Sequence, residues 1–181
     1  MLIEIIAVLF TLISVHLTIK SNILCWPTGI IGVLAYLYIF YTQNLHFQSL
    51  LQLFFVVQSL YGWYYWDNNK KIVYNWISPL KLVDDLCGVL VLLILINILL
   101  KSKIDNPQLT LDILTTLLSL LATWYMAKKV IFHWLVWIIC DIFMILLFMK
   151  QGLYWSAGLY TLLMFMCING LVTWFKLKEN E

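Results

Sequence analysis

The sequence predicts an all-α, polytopic membrane protein with seven transmembrane helices, arranged as two parallel three-helix repeats joined by a linker helix. Composition is the first of three observations behind this. Of 181 residues, 64% are apolar and 11% charged, with a mean hydropathy of +0.94, whereas an average soluble domain is about 25% charged. A chain this short leaves much of its surface exposed, so no water-soluble fold could hide that much hydrocarbon. Soluble enzymes, disordered chains and nucleic-acid-binding proteins are thereby excluded. The second observation is seven apolar stretches, each near the ~20 residues that cross about 30 Å of hydrocarbon. The third is an internal repeat.

In order, the spans are expected at 2–19, 25–41, 48–66, 82–100, 108–126, 130–149 and 153–175. Short polar breaks separate them, among them Lys20-Ser21-Asn22, Thr42-Gln43-Asn44, Lys128-Lys129 and Lys150-Gln151-Gly152. The longest break, 67–81, carries Asn68, Asn69 and Pro79, and nothing is left over for a soluble domain. No Lys precedes the first span and no small-residue cleavage pattern follows it, so it is expected to stay in the mature protein rather than act as a signal peptide. With the amino terminus outside, eight lysines fall on the inner segments (Lys20, Lys70, Lys71, Lys81, Lys128, Lys129, Lys176, Lys178) and three on the outer ones (Lys101, Lys103, Lys150). That bias places the carboxyl terminus in the cytoplasm.

Sliding the chain by 108 residues aligns 5–66 with 113–174 without a gap and gives 14 identities. They include Lys20/Lys128, Trp26/Trp134, Gln43/Gln151, Gly62/Gly170 and Trp66/Trp174, and Glu4 falls on Asp112. Chance in so biased a composition gives roughly five or six. The expected organisation is 1–68 as the first three-helix repeat, 69–107 as loop and linker helix, and 108–181 as the second repeat with a short tail. One intervening crossing gives both triplets the same orientation, the parallel repeat of SWEET-type carriers, whose site lies between the bundles near the midplane.

The charge balance narrows the ligand. The net charge is only +2, and all 11 basic residues are Lys, so the planar guanidinium that favours bidentate phosphate recognition is missing. Aromatics make up 16% of the chain, and many suit interfacial belts. The four cysteines, Cys25, Cys87, Cys140 and Cys167, are scattered without a C-x-x-C pair and read as small apolar residues. No metal or cofactor is expected. There is no H-E-x-x-H, G-x-S-x-G or G-x-x-x-x-G-K-[ST] motif, so neither zinc or serine hydrolysis nor ATP hydrolysis is indicated.

Asp141 is the most informative residue. An Asp near a span centre costs about 2.5–3.5 kcal/mol on insertion scales and usually faces a cavity. Trp134, Trp137 and Asp141 are spaced three and four apart and share a helix face. Two indoles with a carboxylate a turn below suit a flat cationic ring, through cation–π attraction and charge pairing. The alternative is a belt Trp and a packed or protonated Asp. Gln52 and Gln58 in span three need amide partners, from substrate or another helix, and Asn169-Gly170 in span seven poses the same choice. Glu4 and Asp112 sit near span ends, and His133 reads as an interfacial group. Pro27, Gly29 and Gly32 suit either a hinge or close helix packing.

Leu51-Gln52 followed by Tyr61-Gly62-Trp63-Tyr64-Tyr65-Trp66, the Trp134-x-x-Trp137 pair, Gln151-Gly152-Leu153-Tyr154, and Asn169-Gly170 with Trp174 resemble the PnuC family of bacterial vitamin transporters, over about 4–175. The resemblance implies a seven-helix, SWEET-like fold in the bacterial inner membrane. It implies facilitated diffusion of an unphosphorylated vitamin that a cytoplasmic kinase then traps, with Gln52, Trp134, Trp137, Asp141 and Asn169 lining the site and homotrimers in some members. Nicotinamide riboside carriers typically read W-x-x-W-x-x-x-N, whereas this chain has Asp141 last. The acid is compatible with cationic nicotinamide riboside and suits the thiazolium and aminopyrimidine of thiamine, so the expected cargo leans toward thiamine.

Overall fold

The computed structural model describes residues 2–42, 46–69, 74–99, 107–150 and 154–179. Seven helices run through them: α1 (Leu2–Ile19), α2 (Cys25–Thr42), α3 (His46–Asn68), α4 (Pro79–Leu99), α5 (Pro107–Ala127), α6 (His133–Lys150) and α7 (Tyr154–Glu179). Among the described residues the β structure is one isolated bridge, Asn75 to Val130. Gln43, Gln151 and Gly152, quoted for the repeat and the resemblance, lie outside the described residues, as do Lys70, Lys71, Lys101 and Lys103.

Among the described residues, five helices (α1, α2, α4, α6, α7) are long and apolar enough to cross a membrane, and α5 contributes the apolar stretch Ile113–Ala127. Helix α3 is the least apolar of the seven, and both α3 and α5 carry polar side chains into the interior. Ser59, Thr115 and Thr123 are all buried. All three prolines occupy first turns, as residue one of α4 and α5 and residue three of α2, where the missing N–H costs no hydrogen bond. Ser78 caps α4, its Oγ accepting from Lys81 N at 3.3 Å, so this helix starts three residues before the expected 82. Helix α6 starts at His133 rather than 130 because the preceding residues are held elsewhere. Asn75 N donates to Lys129 O and Ile131 N to Asn75 O, both at 3.0 Å.

One pair of positions 108 residues apart shares its backbone geometry. Ser21 (φ 52°) and Lys129 (φ 55°) share a left-handed conformation without glycine. Each closes the same helix-ending motif: Ser21 N to Thr18 O and Asn22 N to Leu17 O after α1, Lys129 N to Met126 O and Val130 N to Tyr125 O after α5. Helices α1, α2 and α3 pack in sequence, as do α5, α6 and α7; α3 also packs on α5, and α7 on α1. Among the described residues, α4 packs on α5 alone, aided by a 2.6 Å hydrogen bond from Tyr125 Oη to Asp85 Oδ2.

At the end holding Lys20, Lys128 and Lys129, the core is aromatic. Trp26 meets Trp66 edge-on (5.5 Å, 89°), Trp134 meets Trp174 likewise (5.6 Å, 88°), and Trp66 and Trp174 touch at 6.2 Å. The two indole N–H groups bond crosswise, Trp66 Nε1 to Ala127 O at 3.1 Å and Trp174 Nε1 to Thr18 O at 3.0 Å. Each half thus caps the other's first helix. Tyr74 covers Trp174 (5.1 Å) and bonds Ser21 Oγ through its hydroxyl at 2.8 Å; Lys178 donates to its carbonyl.

Candidate functional site

Beneath this aromatic end lies a cavity of about 330 Å³, lined by 22 residues of α1, α2, α3, α5, α6 and α7. Its volume falls within the ~300–1,000 Å³ of small-molecule sites. Twenty of the 22 form ten pairs spaced 108 apart, from Thr11/Ser119 to Ser59/Cys167. The cavity therefore sits where the two corresponding halves face each other.

Gln52, Trp134, Trp137 and Asp141 all line it, so the shared face on α6 is turned inward. Asn169 does not. It is exposed on α7 and accepts from Thr173 Oγ1 at 3.4 Å; its neighbour Gly170 faces inward instead, and a Cβ there would lie 2.6 Å from the Trp134 ring. His133, expected at the interface, is fully buried and lines the cavity. Its Nδ1 lies 2.8 Å from Val130 O; a carbonyl only accepts, so Nδ1 is the donor and Nε2 of the neutral ring is left as an acceptor. Gln58 is used between helices, Nε2 donating to Leu120 O at 3.1 Å. Gly29 and Gly32 serve close packing: added Cβ atoms would meet Ser14 Oγ at 2.9 Å and Thr11 Oγ1 at 3.2 Å. Sequence reasoning missed Tyr160 and Ser119, although they are the 108-residue mates of Gln52 and Thr11.

Four buried polar atoms on lining residues have no hydrogen-bond partner in the protein: Trp26 Nε1, Trp134 Nε1, His133 Nε2 and Asp141 Oδ2. Leaving such a group unmet costs about 1–3 kcal/mol. Two donors and two acceptors on lining residues are thus left unmet by the protein. Among the described residues the lining holds one acid, Asp141, and no lysine. The pairs also differ in a directed way. Trp26/Trp134 is identical and Thr11/Ser119 similar, whereas Val33/Asp141, Gly29/Trp137, Cys25/His133 and Gln52/Tyr160 are not. The lining therefore presents an acid on one side only, which suits an asymmetric ligand.

A multi-pass helical protein with a cavity of this size enclosed between six of its helices has the build of a small-solute carrier. The chain matches, over residues 1–176, the family described as Nicotinamide mononucleotide transporter, and it belongs to that family, the PnuC transporters, which are not enzymes. It is 24% identical to the nicotinamide riboside transporters PnuC of Escherichia coli (strain K12) and Shigella flexneri, covering 95% of this chain and 84% of each relative. The crystal structure of the vitamin B3 transporter PnuC matches its fold with a TM-score of 0.77 at 22% identity, over 98% of this chain and 82% of that one. The lean toward thiamine drawn from Asp141 finds no support here, since both relatives are nicotinamide riboside transporters. A carboxylate answers any cationic ring, and its charge alone does not choose between two of them.

Proposed function

We propose that this chain is a facilitated-diffusion carrier that takes up nicotinamide riboside across the bacterial inner membrane, for a cytoplasmic kinase to trap. The observation that carries the reading is the central cavity, which Trp137 and Asp141 both line, one carboxylate oxygen of Asp141 being without a partner in the protein. The pyridinium of nicotinamide riboside is flat and positively charged, the chemistry these two groups answer. The family's description speaks of the mononucleotide and the curated relatives of the riboside, and the cavity's charge favours the riboside. A phosphate would stand near Asp141 with no lysine among the lining residues to offset it.

Two corresponding halves suit alternating access by rocking one against the other. In this mechanism, release at the lysine-bearing end requires Trp66 and Trp174 to part and their bonds to Ala127 and Thr18 to break. That end faces the cytoplasm, on the eight-to-three lysine bias. A carboxyl-terminal reporter should accordingly be active in the cytoplasm; periplasmic activity reverses the orientation.

With no nucleotide-binding loop in the sequence, transport equilibrates its cargo. Liposomes bearing the protein should exchange labelled nicotinamide riboside without any gradient, and added ATP should change nothing. Accumulation that depends on an imposed proton or sodium gradient contradicts facilitated diffusion. Competition by thiamine but not by unlabelled nicotinamide riboside contradicts the substrate.

A further inference from the structure

A short segment, 74–76, lies between α3 and α4 and outside both aligned stretches, 5–66 and 113–174. It crosses the lysine-bearing end of the bundle and meets the turn after α1 and the turn after α5. On the second half the hold is through backbone, Asn75 N donating to Lys129 O and Ile131 N to Asn75 O, both at 3.0 Å. Asn75 Nδ2 adds a bond to Lys128 O at 3.3 Å, Trp76 meets Phe175 edge-on at 5.7 Å, and Lys178 donates to Tyr74 O. On the first half the segment is met by a hydroxyl: Tyr74 Oη and Ser21 Oγ share a hydrogen bond of 2.8 Å. Ser21 and Lys129 are mates 108 residues apart, both left-handed. One segment therefore ties together the corresponding turns of the two halves.

The two attachments differ in kind. A reciprocal pair of backbone bonds fixes a chain in place, and the ring contact of Trp76 adds to it. A neutral hydroxyl pair is worth little net, because water can replace either partner once the seam opens. Tyr74 is itself buried, its ring 5.1 Å from Trp174. Trp174 in turn donates to Thr18 O, on the last turn of α1. Ring and hydroxyl thus close over the same seam, the one between α1 and α7.

We infer that the 74–76 segment is a latch on the release gate, carried by the second half and fastened to the first through Tyr74 and Ser21. When the halves rock apart, the segment travels with the second half and the bond at Ser21 is the one that yields. The inference rests on the proposed carrier mechanism, in which this end opens, and adds the pair of residues that sets how readily it does so. Cys25, at the start of α2, belongs to the same buried cluster as Tyr74 and Trp174 and lines the cavity beneath them. Its thiol is a native reporter of opening.

Inside-out membrane vesicles are treated with a membrane-impermeant maleimide, and the modified cysteine is located by peptide mass, for wild type, Tyr74→Phe, Ser21→Gly and the double variant. Glycine suits the left-handed backbone at 21, so that change removes the hydroxyl without straining the turn. Each single change should raise Cys25 labelling about threefold or more, the scale of one lost hydrogen bond, with no such rise in right-side-out vesicles. The double variant should match the single ones, because all three lack the same bond. Conversely, bridging a Ser21→Cys/Tyr74→Cys variant with a cleavable bifunctional maleimide should slow nicotinamide riboside exchange in liposomes about tenfold or more, as a gate held shut does, and cleavage should restore it. Labelling within about twofold of wild type in both single variants, or effects that multiply in the double one, overturns the latch. So does a rise that is equal from both faces, or undiminished exchange by fully bridged protein. Wild type that exchanges no nicotinamide riboside overturns the proposed cargo, while the labelling comparison, which needs no cargo, still decides the latch.

Discussion

Replacing Trp134 by alanine should destabilise the protein by about 3–5 kcal/mol, the cost of truncating a fully packed aromatic, whereas Trp137→Ala should cost much less stability and weaken cargo binding instead. The two residues were expected to form one clamp, and both line the cavity, yet their surroundings differ. Trp134 is 2% exposed, lies 4.4 Å from the His133 ring and 5.6 Å from Trp174, and rests on Gly170. Trp26 does the same against Gly62 in the other half, which marks this seat as part of the scaffold. Trp137 has no such mate: glycine stands at its corresponding position.

Glycine substitutions supply an internal control. A Cβ at Gly170 would meet the Trp134 ring at 2.6 Å, while one at Gly158, in the same helix, would meet nothing within 4 Å. Gly170→Ala should therefore destabilise by ~1–3 kcal/mol through overpacking. Gly158→Ala should be neutral or stabilising by up to about 1 kcal/mol, since helical alanine gives up less backbone entropy than glycine. Thermal unfolding in detergent reads both. Equal melting temperatures for the two variants would show that the indole can move aside, and that its seat is not rigid.

Much of this was legible in the sequence, for identifiable reasons. Hydrocarbon has no interior to hide in at 181 residues, so composition alone gave a membrane protein. The spacing of Trp134, Trp137 and Asp141 fixed a common face because helix geometry leaves little freedom. Asn169 was misplaced by the same logic, because a motif says which residues are close in sequence, not which side of α7 turns inward; Gly170 had the stronger packing claim on the interior. His133 next to a lysine-bearing turn looks interfacial until the tertiary fold brings Trp174 to within 4.7 Å of it. The left-handed residues Ser21 and Lys129 carry no sequence signal, since glycine, the usual marker, is absent from both. Tyr160 was recoverable, had the repeat been used to project Gln52 onto its mate.

Asp141→Asn should weaken binding of cationic nicotinamide riboside by about 1–3 kcal/mol, the scale of a lost charge-assisted contact in a partly desolvated site. The substitution keeps nearly the same shape, so packing is preserved and the charge is isolated as the variable. The residue is only 4% exposed, its Oδ2 has no partner in the protein, and valine occupies the matching place in the other half. The scaffold evidently tolerates an apolar residue there, so the acid is not required by the fold as such. A neutral isostere of the riboside should lose far less affinity than the cation, because it never used the charge. Asp141→Val, which copies the mate at Val33, should weaken the cation at least as much while retaining folded yield. Were Asp141 a packing residue, the outcome would differ in kind: yield would drop in both variants, and the surviving protein would bind cation and isostere as wild type does. Equal losses for the two ligands would likewise sink the charge-recognition role, leaving Trp137 to account for selectivity.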